Sequence, residues 1–244
     1  MSVPLTLGVP HRPDPQALVA GLLHQRCRSV DDLDERHVAL SAGPPVVAAS
    51  VLAALPSGIG LGRIVVDLDI DPEELRRGSA AYEVVRFHVD ADNETVEEAT
   101  RLRLPSPLVI FPELTDASVM DLVTVIVDAH RTPGFAASAS PRHIADILAV
   151  VAHADVGVCA RAGNGQDVLA ILSATVAALR GDDIQTALSD PDLDSLAVLR
   201  PEAAEAVRTV LLGIEIDDAA SAHRELVTAQ LVRPFSADGP PPTT

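Results

Sequence analysis

Between Gly62 and Arg180 the chain alternates strand-type and helix-type stretches, and this alternation limits its fold more than any other feature. Strands are expected at Gly62–Ile70, Tyr82–Val89, Pro107–Phe111, Gly134–Ala139 and Val156–Arg161, each followed by a helical pattern. Strands separated by helices run parallel and connect by right-handed crossovers. About five strands fit an irregular or incomplete TIM-like β/α barrel with additional C-terminal helices. The alternative is a doubly wound open parallel sheet. The barrel is preferred because polar residues alternate inside several strands, as a lumen permits.

The flanks read differently. Gln16–Arg28 and Val46–Leu55 show apolar spacing that predicts helices, and Asp182–Ser189, Pro201–Leu212 and Asp217–Leu231 read as three helices with no strand between them. Residues 1–14 are proline-rich and expected to form an extended arm, 15–234 one α/β domain, and 235–244 a disordered tail.

Composition narrows the chemistry. A net charge of −17 argues against nucleic acid and anionic membrane as partners. All 18 basic residues are Arg, which excludes a lysine Schiff base and a P-loop lysine. Aromatic residues make up only 2%, too few for base- or sugar-stacking platforms. Cys27 and Cys159 are too few and too far apart for a disulfide framework or zinc knuckle. The N-terminal M-S-V-P-L-T-L-G-V-P-H-R-P lacks the basic-then-apolar signal-peptide pattern, and prolines break the uncharged span Val38–Gly62. A soluble, cytoplasmic protein is the expectation.

The junction V-G-V-C-A-R-A-G-N-G-Q-D, residues 156–167, reads as a strand, a glycine-bearing loop and a helix start. Amides of Gly163, Asn164 and Gly165 in such a loop can receive an anion. The competing reading is structural: Asn164 is a good N-cap, Asp167 completes a capping-box-like pair, and the glycines make a tight turn.

The strand V-V-R-F-H-V-D-A-D, residues 84–92, sets Arg86, His88 and Asp90 on one face. Burying three polar groups unpaired costs several kcal/mol, so they need partners or a ligand. The functional reading is a lumen site with His88 as acid/base, Asp90 as its orienter, and Arg86 and Arg161 as anion clamps. The structural reading is a self-satisfied ion-pair network. Asp67 and Asp69 share a face of their strand and, with His88, Asp90 and Glu113, offer candidate oxygen and imidazole ligands for Mg²⁺ or Mn²⁺. The set has no diagnostic spacing, so no metal site is assigned. Cys159 beside Arg161 is a candidate thiolate, although a lone strand Cys is more often a small core residue. His24, His130, His143 and His153 are expected at helix ends.

The pieces F-A-A-S-A-S-P-R-H-I-A-D-I-L at 135–148, V-C-A-R-A-G at 158–163, and the apolar helix from Gln166 resemble a group of uncharacterised bacterial β/α-barrel proteins. In that group a strand end reads Lys-Ala-Thr-Ala-Gly before a His pair. Here Cys159 stands at the lysine position, Arg161 at the threonine position, and the His pair is missing. The resemblance therefore implies a barrel with a rebuilt site and transfers no catalytic residue.

Two functions remain open. One is a non-catalytic binding or scaffold barrel for a small anionic ligand, associating with a second copy or protein partner through its apolar helices. The other is a lysine-independent lyase or isomerase acting on a phosphorylated or carboxylated metabolite.

Overall fold

The computed structural model describes residues 16–34, 39, 41–75, 80–115 and 119–232. The expected N-terminal arm and the C-terminal tail lie outside these residues. The chain forms a closed barrel of eight parallel strands in sequence order: β1 (Leu23–Cys27), β2 (Val46–Ala48), β3 (Gly60–Asp67), β4 (Ala81–Ala91), β5 (Leu108–Pro112), β6 (Thr132–Ala136), β7 (Val158–Ala162) and β8 (Leu211–Ile216). Helices surround it, and the open-sheet alternative is excluded.

Strands β3 to β7 are the five expected from the alternation. The other three correct the helical reading of the flanks. The helix expected at Gln16–Arg28 is a single turn, Gln16–Val19, and Gly21 at φ 62° turns the chain into β1. Val46–Leu55 splits into the three-residue β2 and the helix Ala49–Ala54. Pro201–Val210 is helical, but β8 begins at the next residue, with no turn residue between them. L-L-G-I-E-I then closes the barrel by pairing with β7 (Arg161↔Glu215) and β1 (Leu23↔Ile214).

Two apolar clusters lie between the barrel wall and the helices. The helix Gly165–Arg180 shows the sequence logic. Asn164 caps its first turn by accepting from the Asp167 amide, and Gly181 at φ 76° ends it in the left-handed region. Val168, Leu169, Ile171 and Leu172, at helical spacing, are buried against the wall. Burying each such side chain contributes roughly 1.5–3 kcal/mol.

The lumen differs from these clusters. Val109, Phe111, Cys159 and Leu212 form its small apolar part, and His24, Arg86, His88 and Glu215 are also buried within the barrel. Two glycines make room for them. A Cβ at Gly134 would strike the Phe111 ring, and one at Gly213 would strike His24 and crowd Arg86.

Candidate functional site at the barrel mouth

β4, β7 and β8 bring His88, Arg161 and Glu215 together near the carboxyl ends of the strands, the end where barrels of this kind place their sites. Glu215 and His88 are each 1% exposed. The Nδ1 of His88 lies 2.5 Å from Glu215 Oε1. The other Glu215 oxygen accepts from Arg161 Nε at 2.9 Å and lies 3.5 Å from Arg26 Nε. Arg161 also pairs with Asp90 through Nη1 and faces Asp67 at 3.7 Å through Nη2. Its guanidinium lies over the Phe111 ring, 3.7 Å from the centroid, a cation–π contact. His88 meets the same ring edge-on.

These contacts set the protonation states. Burial alone would raise the Glu215 carboxyl, but the His88 hydrogen bond and the Arg161 and Arg26 charges bring it down to about 2. Burial lowers His88 and outweighs the raising effect of Glu215. The resulting state is an ionised Glu215 accepting from Nδ1–H of a neutral imidazole. Asp67 is raised to about 6, first by burial and then by the Glu215 charge. Burial also pushes the Cys159 thiol up to about 11, so it is not a thiolate at neutral pH.

The sequence-derived candidates divide among these roles. His88, Asp90, Asp67 and Arg161 join one network, but the orienter of His88 is Glu215, not Asp90. Asp90 is 70% exposed and binds Arg161 instead. Arg86 lies deeper, beside His24, which is a buried lumen residue on β1 and not at a helix end. Asp69 points to another task, accepting from the Ser50 amide at 2.8 Å and from its hydroxyl. Glu113 is exposed at the rim.

In the loop the capping reading accounts for the Gly163 amide. Gly163 N–H donates to Asp167 at 2.8 Å and the Asp167 N–H to Asn164 at 3.0 Å, while Gly165 packs closely against Glu225. Among the described residues, no group of three or more His, Cys, Asp or Glu side chains could hold a metal ion, so the Mg²⁺ or Mn²⁺ candidates do not converge.

Sequence reasoning missed Arg26 because it fell within the expected helix Gln16–Arg28, and Glu215 because it fell in the connection between the helices expected at Pro201–Leu212 and Asp217–Leu231. The available signal was the period-two pattern Ile214-Glu215-Ile216, an acidic residue between two β-branched ones.

Beside this network a pocket of about 440 Å³ opens at the ends of β4 to β7. Phe111, Pro112 and Phe135 form its apolar part, and Asp90, Asp92, Thr95, Glu113 and Arg161 its polar part. Arg161 Nη2 is buried without a hydrogen-bond acceptor, because Asp67 stands too far for one. Among the described residues, no helix is long and apolar enough to cross a membrane. No protein-family model, curated protein or solved structure matches the chain.

Proposed function

We propose that the protein is a non-catalytic β/α barrel that binds a small anionic ligand at its C-terminal mouth. The observation that carries this reading is the unfilled N–H of Arg161 Nη2 on a side chain that lines the pocket. A ligand oxygen accepting from it completes the fork of the guanidinium. The charge of Arg161 is already shared among Glu215, Asp90 and Asp67, so a bare anion gains little there. The matching ligand also brings hydrogen-bond donors to Asp90 and Glu113, as an amino-carboxylate or amino-phosphate does. The degenerate strand-end motif and the missing lysine fit a barrel that binds without turnover.

The test is a thermal-shift series with carboxylated, phosphorylated and amino-bearing metabolites. A ligand that binds the folded state alone raises the melting temperature by mass action. The variant to compare is Asp90→Asn, because Asp90 is exposed and its change spares the buried charges. The expected result is a saturable shift with amino-bearing anions that weakens in Asp90→Asn, with the unliganded melt little changed. No shift with any compound would remove the mouth site and leave a scaffold role.

One observation favours the enzyme reading. His88 has Nδ1 fixed by Glu215 and its buried Nε2 without a partner, the arrangement of an oriented general base. Lyase or isomerase turnover that disappears in a folded His88→Asn variant would establish it.

A further inference from the structure

Below the mouth network the lumen holds a second charged group with the opposite imbalance. Arg86 is 8% exposed, and among the described residues its only hydrogen-bond contacts are long ones, from Nη2 to Leu212 O at 3.3 Å and to His24 Nε2 at 3.4 Å. Its Nε is buried with no partner. Arg208, in the last turn of the helix Pro201–Val210, approaches the same region and donates to Leu211 O at 2.9 Å. Neither arginine has a carboxylate within ion-pair distance among the described residues, whereas Arg161 contacts three. Guanidinium groups stay protonated in proteins, so this charge cannot be discharged by titration.

The neighbours do not neutralise it. His24 is lowered to about 3, by burial first and by Arg86 next, and is therefore a neutral acceptor. Cys159 feels both arginines, yet burial keeps its thiol protonated at neutral pH. A buried cation without a counter-charge is among the costliest arrangements a fold can carry.

We propose that Arg86 and Arg208 hold a small inorganic anion of the halide class in the lower lumen, received by the Arg86 Nε–H. The ion proposed is monatomic because the surroundings are tight: a Cβ at Gly213 would strike His24 and crowd Arg86. The site is distinct from the mouth pocket, which neither arginine lines. Its role is to complete the barrel interior, making folding stability dependent on halide.

The experiment measures melting temperature of the full chain against sodium chloride and sodium bromide, with ionic strength held constant by sodium gluconate. The expected result is a saturable rise with either halide, and a roughly tenfold or greater weakening of apparent affinity in Arg86→Met. Should Arg86→Met fail to fold, Arg208→Met gives the same readout from a partly exposed position. Bromide-soaked crystals should then show an anomalous peak within hydrogen-bonding reach of Arg86 Nε. A linear, non-saturating salt response that both arginine variants retain would overturn the proposal. So would a thiolate absorbance from Cys159 at pH 7, since the counter-anion would then be internal.

Discussion

Glu215→Gln is the substitution that tests the mouth network most directly. It preserves the shape of the side chain and one acceptor oxygen for His88, but removes the charge that Arg161 and Arg26 share. Breaking a buried ion pair by removing one partner costs about 3–5 kcal/mol. Here Asp67 returns part of that loss. Its carboxyl is held up at about 6 by burial and then by the Glu215 charge. With Glu215 neutralised, its repulsion of the Asp67 carboxylate, largely ionised at pH 7, is lifted, and Asp67 faces Arg161 unopposed by it. The expected net loss at pH 7 is therefore nearer 2–3 kcal/mol, against a total of about 5–15 kcal/mol for a domain. Urea denaturation checks this as a lower midpoint with an unchanged slope. Adding Asp67→Asn should remove the compensation, so the double variant should lose more than the sum of the two single losses. A loss below about 1 kcal/mol for Glu215→Gln would mean that the network behaves as a solvated surface pair, and the reasoning would fail.

Three further outcomes follow from the same contacts. Truncation after Gly181 removes β8 and exposes the edges of β1 and β7, so the fragment 1–181 should be insoluble or molten by near-UV circular dichroism, and a soluble, cooperatively melting fragment would contradict it. Gly213→Ala drives a methyl into His24 and Arg86, and overpacking of this kind should cost about 1–3 kcal/mol in a chemical melt. The third outcome concerns pH. Asp67 has a folded pKa of about 6, above its ordinary 3.8, so the native state gains stability as pH falls from 6 towards 4. His24, lowered from 6.5 to about 3 by burial and then by Arg86, makes the native state lose stability over the same fall. The two slopes, each about 1.4 kcal/mol per pH unit, oppose one another. Asp67→Asn should unmask the His24 loss as a steeper decline between pH 6 and 4, measured by urea melts at each pH; an unchanged profile would refute the Asp67 assignment.

The barrel was legible where strands sit between long helices with conventional signals. Ser140-Pro141 opens the helix Pro141–Val151 and Asn164 opens the next, so β6 and β7 were bracketed on both sides. β8 was hidden because Val210 ends a helix and Leu211 begins a strand, with no Gly, Pro or Asn between them. β2 is three residues long, too short to show a period. β1 lies within L-V-A-G-L-L-H-Q-R-C, where Leu18 and Leu22 fall at helical spacing although Gly21 separates them structurally. These omissions carried over to the site. The polar face of β4 was visible in Arg86, His88 and Asp90, but His24 beside Arg86 and Glu215 beside His88 lie on strands that were missed. A polar strand face could be read from one segment, but its pairing required barrel closure.

Barrel closure also separates the two charge environments of the lumen and bears on what the protein does. At the mouth, Asp67, Asp90 and Glu215 surround Arg161, and a raised Asp67 is the consequence of burial and then of the Glu215 charge beside it. Lower down, Arg86 and Arg208 have no carboxylate within ion-pair distance among the described residues, and a depressed His24 is the consequence of burial beside positive charge. An enzyme using His88 as a base must bring substrate to Nε2, yet His88 is 1% exposed and packs against Phe111, which Arg161 covers. Catalysis would therefore require the packing around His88 to open. Binding at the mouth requires the buried Nη2 of Arg161 to turn toward a pocket that is already open beside it. The smaller rearrangement favours a barrel that holds a ligand over one that transforms it.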